Sequence, residues 1–264
     1  MPINRVRPVK KALARVAIRP PVRASNGAVT IKNSFDGQAR VVRAVPLPLQ
    51  YRTVINWGNA AELRGLNPQL YVLNKPAAVQ QASNKLLAFR KFAENNVRCP
   101  SFQTEKPVLK KGVMYLARQK LCGSSGDGIK ILRNGDEVVD APLYVKYIPK
   151  LVEYRVHVAG DRVIFAQQKK RKADGEQTED QKLIRNYDNG WVFCPVNVAE
   201  LNEDVNASAR AAVAGLGLDF GAVDLIIGRD DGLAYILEVN TAPGLSSPGL
   251  IQAYRDRFKE MIRV

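Results

Sequence analysis

The sequence predicts an α+β fold, and three stretches carry that prediction. Two strand patterns, Ala222 to Gly228 and Leu233 to Asn240, flank Asp230-Asp231-Gly232, where the glycine suits the left-handed position of a three-residue hairpin loop. SNKLLAFRKFAENN, from Ser83, sets Leu86, Leu87, Phe89, Phe92 and Ala93 at helical spacing behind a Ser83 or Asn84 cap. Gly123 to Gly128 joins two strands, Val113 to Leu121 and Ile129 to Leu132, so it lacks the helix that a Walker loop or a Rossmann turn needs directly after its glycines.

Composition narrows the function classes. At 264 residues and 46% hydrophobic content the chain can bury a substantial core. No window approaches the ~20 apolar residues of a membrane span, and Met1 to Ile18 lacks the uninterrupted apolar stretch of a signal peptide. A cytoplasmic protein with no membrane partner is therefore expected. Cys99, Cys122 and Cys194 are odd in number and without CxxC spacing, against both a disulfide framework and a zinc site. The single histidine, His157, excludes His-rich metal chemistry and leaves little room for a hydrolytic triad. Net charge is +15, of which residues 1–45 hold +9, with ten Lys or Arg and one Asp. Such a segment attracts nucleic acid or another acidic partner by counterion release, or simply keeps the chain soluble.

In chain order, residues 1–45 read as a partly ordered basic arm. A small first domain, 46–82, holds strands at Tyr51 to Asn56 and Tyr71 to Leu73, and the remainder, 83–264, forms the main body. Glycines and serines between strands can wrap phosphate with unhindered backbone N–H groups, although a plain hairpin loop explains Gly123 to Gly128 equally well. Tyr144 to Ile148 is the next strand. In Glu153 to Val158 the residues Glu153, Arg155 and His157 share one face while Tyr154, Val156 and Val158 share the other. An amphipathic edge strand would have the same pattern. Val163 to Ala166 continues into Lys169-Lys170-Arg171-Lys172, followed by a loop, Ala173 to Lys182, expected to act as a lid. Ala199 to Leu216 and Pro248 to Val264 read as helices.

The hairpin places Asp224 opposite Glu238, give or take one residue of register, with Asn240 on the face of Glu238. Opposed like charges destabilise a sheet unless something positive lies between them. Two carboxylates and an amide oxygen suit a hard cation, Mg2+ with Mn2+ as alternative, bound together with substrate phosphates. The plainer explanation is that each acid is neutralised by some of the many Lys and Arg.

Taken together, Asn84-Lys85 at a helix start, the Arg118 to Gly128 strand and loop, the strand at Lys146, and Asp224, Glu238 and Asn240 in ILEVNTAPGLSS resemble the ATP-grasp family from about Ser83 onward. The ending is similar to that of D-alanine-D-alanine ligases and ribosomal-protein glutamate ligases, and VINWG and IRNYDNGWVF resemble ATP-grasp proteins of tailed bacteriophages. The resemblance implies two α+β subdomains clamping ATP, preceded by a small α/β domain that is abbreviated here. By position it implies that Lys85 and Arg118 touch phosphate, Arg118 standing where the family usually has Lys, and that Gly123, Ser124, Ser125, Gly126 and Gly128 close over the phosphates. Lys146, Tyr147 and Ile148 would border adenine, and Glu153 would bind ribose. Arg155, Lys169 or Arg171, and Arg185 would serve the γ-phosphate and acyl-phosphate, with Asn186 beside them. Ala222 stands where D-alanine ligases carry an oxyanion-stabilising Arg, which tilts the resemblance toward the glutamate-ligase type.

The activity so implied is ATP-dependent ligation of a carboxylate to an amine, each small-molecule, peptide or protein, through an acyl-phosphate. The alternative is a catalytically silent ATP-binding module whose basic arm binds nucleic acid or another acidic partner.

Overall fold

A computed structural model describes residues 16–21, 25–43, 47, 50–63, 69–123, 128–172 and 177–262. Its first sheet is parallel, in the order β2-β1-β3-β4, from β1 (Val16–Arg19), β2 (Ala39–Val41), β3 (Thr53–Asn56) and β4 (Tyr71–Leu73). Helix α1 (Asn26–Asn33) crosses from β1 to β2, with Ser25 Oγ accepting from Ala28 N at 3.1 Å. From Val16 onward this corrects the arm expected over residues 1–45, because β1 and β2 belong to the same sheet as β3 and β4. A short parallel strand buried on both faces shows no alternation to read, so VAIR between basic residues registered only as charge. The first domain is thus fuller than expected, and Lys32 lies in the last turn of α1, where its charge suits the helix dipole. Arg5, Arg7, Lys10, Lys11 and Arg15 lie outside the described residues.

Helix α2 (Pro76–Ser83), not apparent from the sequence pattern, leads into α3 (Lys85–Glu94). The two are separated by Asn84, which is extended and whose Oδ1 accepts from Leu87 N at 3.1 Å. A small antiparallel sheet follows in the order β5-β8-β6-β7, from β5 (Phe102–Gln103), β6 (Tyr115–Arg118), β7 (Ile129–Leu132) and β8 (Leu143–Lys146).

The large sheet is antiparallel, in the order β11-β10-β9-β12-β13. Its strands are β9 (Lys150–Ala159), β10 (Arg162–Arg171), β11 (Trp191–Val196), β12 (Phe220–Gly228) and β13 (Ala234–Asn240). Between β10 and β11 lies the short helix α4 (Glu179–Leu183). Helix α5 (Glu203–Gly215) is shorter than the sequence suggested, because Val198–Glu200 forms a separate 3-10 turn and Asn202 caps α5 at Val205 N, 2.8 Å. It packs Val205, Ala209, Ala212 and Val213 against Val156, Val158, Val223 and Leu225. The opposite face of those strands is left to Glu153, Arg155 and Asp224. β9 lies between β10 and β12, which excludes the edge-strand alternative.

Helix α6 (Pro248–Met261) ties the first sheet to the large one. Trp57, at the end of β3, stacks on Phe220 at 5.4 Å and meets Tyr254 and Phe258 edge-on at 5.6 and 6.4 Å. Beside this cluster Asn74, with φ +60°, donates from Nδ2 to Phe220 O at 2.9 Å and accepts at Oδ1 from Asp219 N at 2.7 Å. Trp57→Ala should therefore cost about 3–5 kcal/mol, as for other fully buried large aromatics. Urea unfolding with an unchanged midpoint would show that the junction does not depend on Trp57.

Candidate functional site

Between the large and small sheets lies a cleft of about 590 Å³. Its floor is set by the β12–β13 register, in which Asp224 stands directly opposite Glu238 and Ala222 opposite Asn240. A bulge after Asp224 lets Leu237 line the cleft beside Glu238 while Ile236 remains in the core. Gly232 adopts φ +70° in the connecting loop, as the sequence required.

Both carboxylates are met by cations. Arg155, cross-strand from Asp224 on β9, grips it with Nε to Oδ1 at 2.6 Å and Nη2 to Oδ2 at 2.7 Å. Burial alone would raise the Asp224 pKa, but this guanidinium holds it below the ordinary carboxylate value. Glu238 faces Lys85 at 3.6 Å, and Lys85 also donates to Gly123 O at 2.9 Å, which joins the floor to the small-sheet side. Neutralisation by Lys and Arg and suitability for a cation thus coexist. Asp224, Glu238 and Asn240 all line the cleft and offer oxygen, Asn240 Oδ1 while also accepting from Ala242 N at 3.0 Å, a set that would fit a hard divalent ion once the cations have anions of their own to meet.

A second cluster lies one row along β9. Glu153 is buried, accepting from Lys150 at 3.1 Å and from Lys169 at 2.5 Å. The same lysines donate to backbone carbonyls of the incoming strap, Lys150 to Leu183 O at 3.0 Å and Lys169 to Arg185 O at 2.7 Å. Burial lowers the Lys150 pKa against the opposing charge of Glu153. The strap is fastened at its other side by Arg133 to Asp180, between β7 and α4. Lys150 went unnoticed in the sequence because a lysine after Pro149 reads as a solvated strand start; its burial is a tertiary fact.

Of the residues singled out from sequence, Lys85, Arg118 and Gly123 line the cleft, as do Lys146, Tyr147 and Ile148 at the end of β8. Glu153, Arg155, Lys169, Arg185 and Asn186 line it from the large-sheet side, with Asp224, Glu238 and Asn240 below. Arg171 is a correction: it ends β10 exposed and outside the cleft. Gly128, at φ +71°, is not itself a lining residue but lies against the side chain of Lys120, which is. Ser124, Ser125 and Gly126, and residues 173–176 of the expected lid, lie outside the described residues. Two buried nitrogens in the walls, Arg118 Nε and Arg185 Nε, have no hydrogen-bond partner among the described residues. Burial also lowers the Arg118 pKa. Unsatisfied guanidinium N–H groups on both sides of a cleft are what an anion would complete.

No protein-family model matches the chain, and no curated protein is similar in sequence. Solved structures do match. D-alanine–D-alanine ligase from Bacillus anthracis complexed with ATP is 14% identical over 94% of this chain and 99% of its own, with a TM-score of 0.60. The ATP-grasp ligase PsnB complexed with minimal precursor, Mg and ADP is 13% identical over 92% of this chain and 97% of its own, TM-score 0.62. The RimK domain protein ATP-grasp from Sphaerobacter thermophilus is 15% identical over 92% of this chain and 99% of its own, TM-score 0.58.

Behind the floor, His157 is fully buried between Tyr254 Oη, 3.1 Å from Nδ1, and Gln167 Oε1, 3.2 Å from Nε2. Burial lowers its pKa from 6.5 to about 4. The unfolded chain takes up this proton near pH 6.5 and the folded chain does not, so the contribution is complete above pH 6.5 and lost as pH falls toward 4. His157→Gln should flatten that limb, measured as urea midpoints from pH 7 to 4, by roughly 2–3 kcal/mol. Parallel limbs for the two proteins would show that His157 is not responsible.

Proposed function

Because the chain has the ATP-grasp fold, we propose that it is an ATP-dependent ligase that joins a carboxylate to an amine through an acyl-phosphate. The observation carrying this reading is the charge plan of the cleft: two acids in register, each held by a cation, beneath two guanidinium groups with unpartnered Nε atoms. Such a plan suits a metal-bound polyphosphate better than a neutral ligand. Structures complexed with ATP, and with Mg, ADP and a precursor, support nucleotide, magnesium and a peptide substrate for this chain.

In this reading Lys85 and Arg118 hold the triphosphate from the small-sheet side, with Arg118 offering a planar fork where a lysine would offer a point charge. Mg2+ held by Asp224, Glu238 and Asn240 would neutralise phosphate charge. Arg155, paired with Asp224, would turn its N–H donors to a phosphate oxygen if Asp224 served the metal. A substrate carboxylate oxygen attacks the γ-phosphorus, ADP leaves, and Arg155, Lys169 and Arg185 offset the charge spread over the transferred group. The amine then attacks the acyl carbon, releasing phosphate. No protein nucleophile is needed. Glu153 pairs with both Lys150 and Lys169 in a dry site, and its remaining lone pairs are open to a ribose hydroxyl. The strap over residues 177–186, fastened at Asp180, Leu183 and Arg185, shields the acyl-phosphate from water.

ADP release with MgATP across a panel of amino acids, peptides and amines tests the activity, and product mass identifies the bond. Glu238→Gln should lower turnover by at least about a hundredfold, near 2.7 kcal/mol of barrier, with the fold intact. Turnover within about twofold of wild type would remove the metal role. Backbone exchange across residues 177–186 should slow further when ATP and the true substrate are both bound. Equal rates in the empty and ternary states would show that the strap does not close.

A further inference from the structure

Strand β11 places Trp191 and Phe193 on one face, and cross-strand pairing sets Phe193 beside Lys169 and Trp191 beside Arg171. The Arg185 guanidinium lies over the Trp191 ring at 4.4 Å, Arg155 over Phe193 at 4.2 Å, and Lys169 Nζ over the same ring at 4.9 Å. Three cations of the cleft therefore rest on two aromatic faces. Trp191 is itself fixed, because its Nε1 donates to Gln181 O at 3.1 Å. We propose that Trp191 and Phe193 are positioning residues that orient Arg185 and Arg155 toward the phosphoryl group while leaving their charge and N–H donors for it.

The physical reason lies in the two ways of holding a buried cation. A carboxylate fixes a guanidinium by occupying its in-plane N–H groups and cancelling its charge. An aromatic face attracts the cation from one side and leaves the in-plane donors unoccupied. Arg185 illustrates the second way, since its Nε is buried without a hydrogen-bond partner among the described residues while the ring lies beneath it. Arg155 is held in both ways, by Asp224 in plane and by Phe193 from below. If Asp224 served a metal, the Phe193 ring would still hold the Arg155 guanidinium over the cleft. This inference rests on the ligase reading above, and assigns to β11 a function that neither its edge position nor its apolar composition announces.

The test is equilibrium binding of adenosine and of Mg2+ with the non-hydrolysable ATP analogue AMP-PNP, to the full chain and to Trp191→Leu, Phe193→Leu and Trp191→Phe. Each leucine variant should weaken AMP-PNP by roughly tenfold and leave adenosine unchanged, and Trp191→Phe should remain within about threefold of wild type. A double-mutant cycle gives an independent check: in an Arg185→Gln background, Trp191→Leu should cost AMP-PNP binding nothing further. Equal weakening of adenosine and AMP-PNP, full binding of AMP-PNP by folded leucine variants, or an additive cycle would each overturn the proposal. A wild-type chain that binds no AMP-PNP would overturn the ligase reading and this one with it; wild-type binding that the variants match overturns this one alone.

Discussion

Asp224 and Glu238 face each other across an antiparallel pair, and the placement of charge elsewhere in the molecule answers to them. Opposed carboxylates at cross-strand distance repel by roughly 3 kcal/mol at an effective dielectric near 20, before any cost of burial. The sheet tolerates them because Arg155 enters from β9 on one side and Lys85 from the start of α3 on the other. Removing either cation would leave an acid without its counter-charge, so the cations and acids form one unit. A unit of this kind is poised for exchange. In the proposed function, an anion that engaged the cations would free the acids for a metal, and each event would make the other easier.

The Glu153 cluster applies the same principle to geometry instead of to ligand exchange. One buried acid pairs with two lysines, and each lysine has a further donor to offer a backbone carbonyl of the strap. Buried ion pairs recover their desolvation cost only when extra hydrogen bonds satisfy the remaining donors. Here those hydrogen bonds position the segment that carries Arg185 and Asn186. The electrostatics of the cleft and the course of its covering segment are thus set by the same three side chains.

The first sheet stands apart in architecture but not in mechanics. Trp57, Phe220, Tyr254 and Phe258 fill the junction, and Asn74 satisfies backbone groups at the start of β12. Gly58, at φ +80°, passes so close to Ala242 that a Cβ there would stand 2.6 Å from the Ala242 Cβ. The loop just after Asn240 is therefore braced by the first sheet, and the end of the cation floor depends on packing well outside the cleft.

Where local pattern and tertiary role coincide, sequence was enough. The hairpin of β12 and β13, the capped start of α3 and the two-faced β9 each follow from alternation, a cap or a glycine with positive φ, and these are interactions between neighbours in the chain. Loop length sets Asp224 against Glu238 to within one residue, and the bulge after Asp224 decides the register. Other features depended on distant parts of the chain meeting. β1 is parallel and buried on both faces, so it carries no alternation and was mistaken for part of a charged arm. β11 contains Pro195, which speaks against a strand, yet it is an edge strand, where proline is tolerated. Arg171 and Lys169 lie two residues apart on one face, and only the folded sheet decides that Lys169 reaches Glu153 while Arg171 remains outside the cleft. The burial of Lys150 and the seating of three cations on Trp191 and Phe193 were likewise decided by tertiary structure, because side chains from separate strands acquire a common environment only when the sheet has formed.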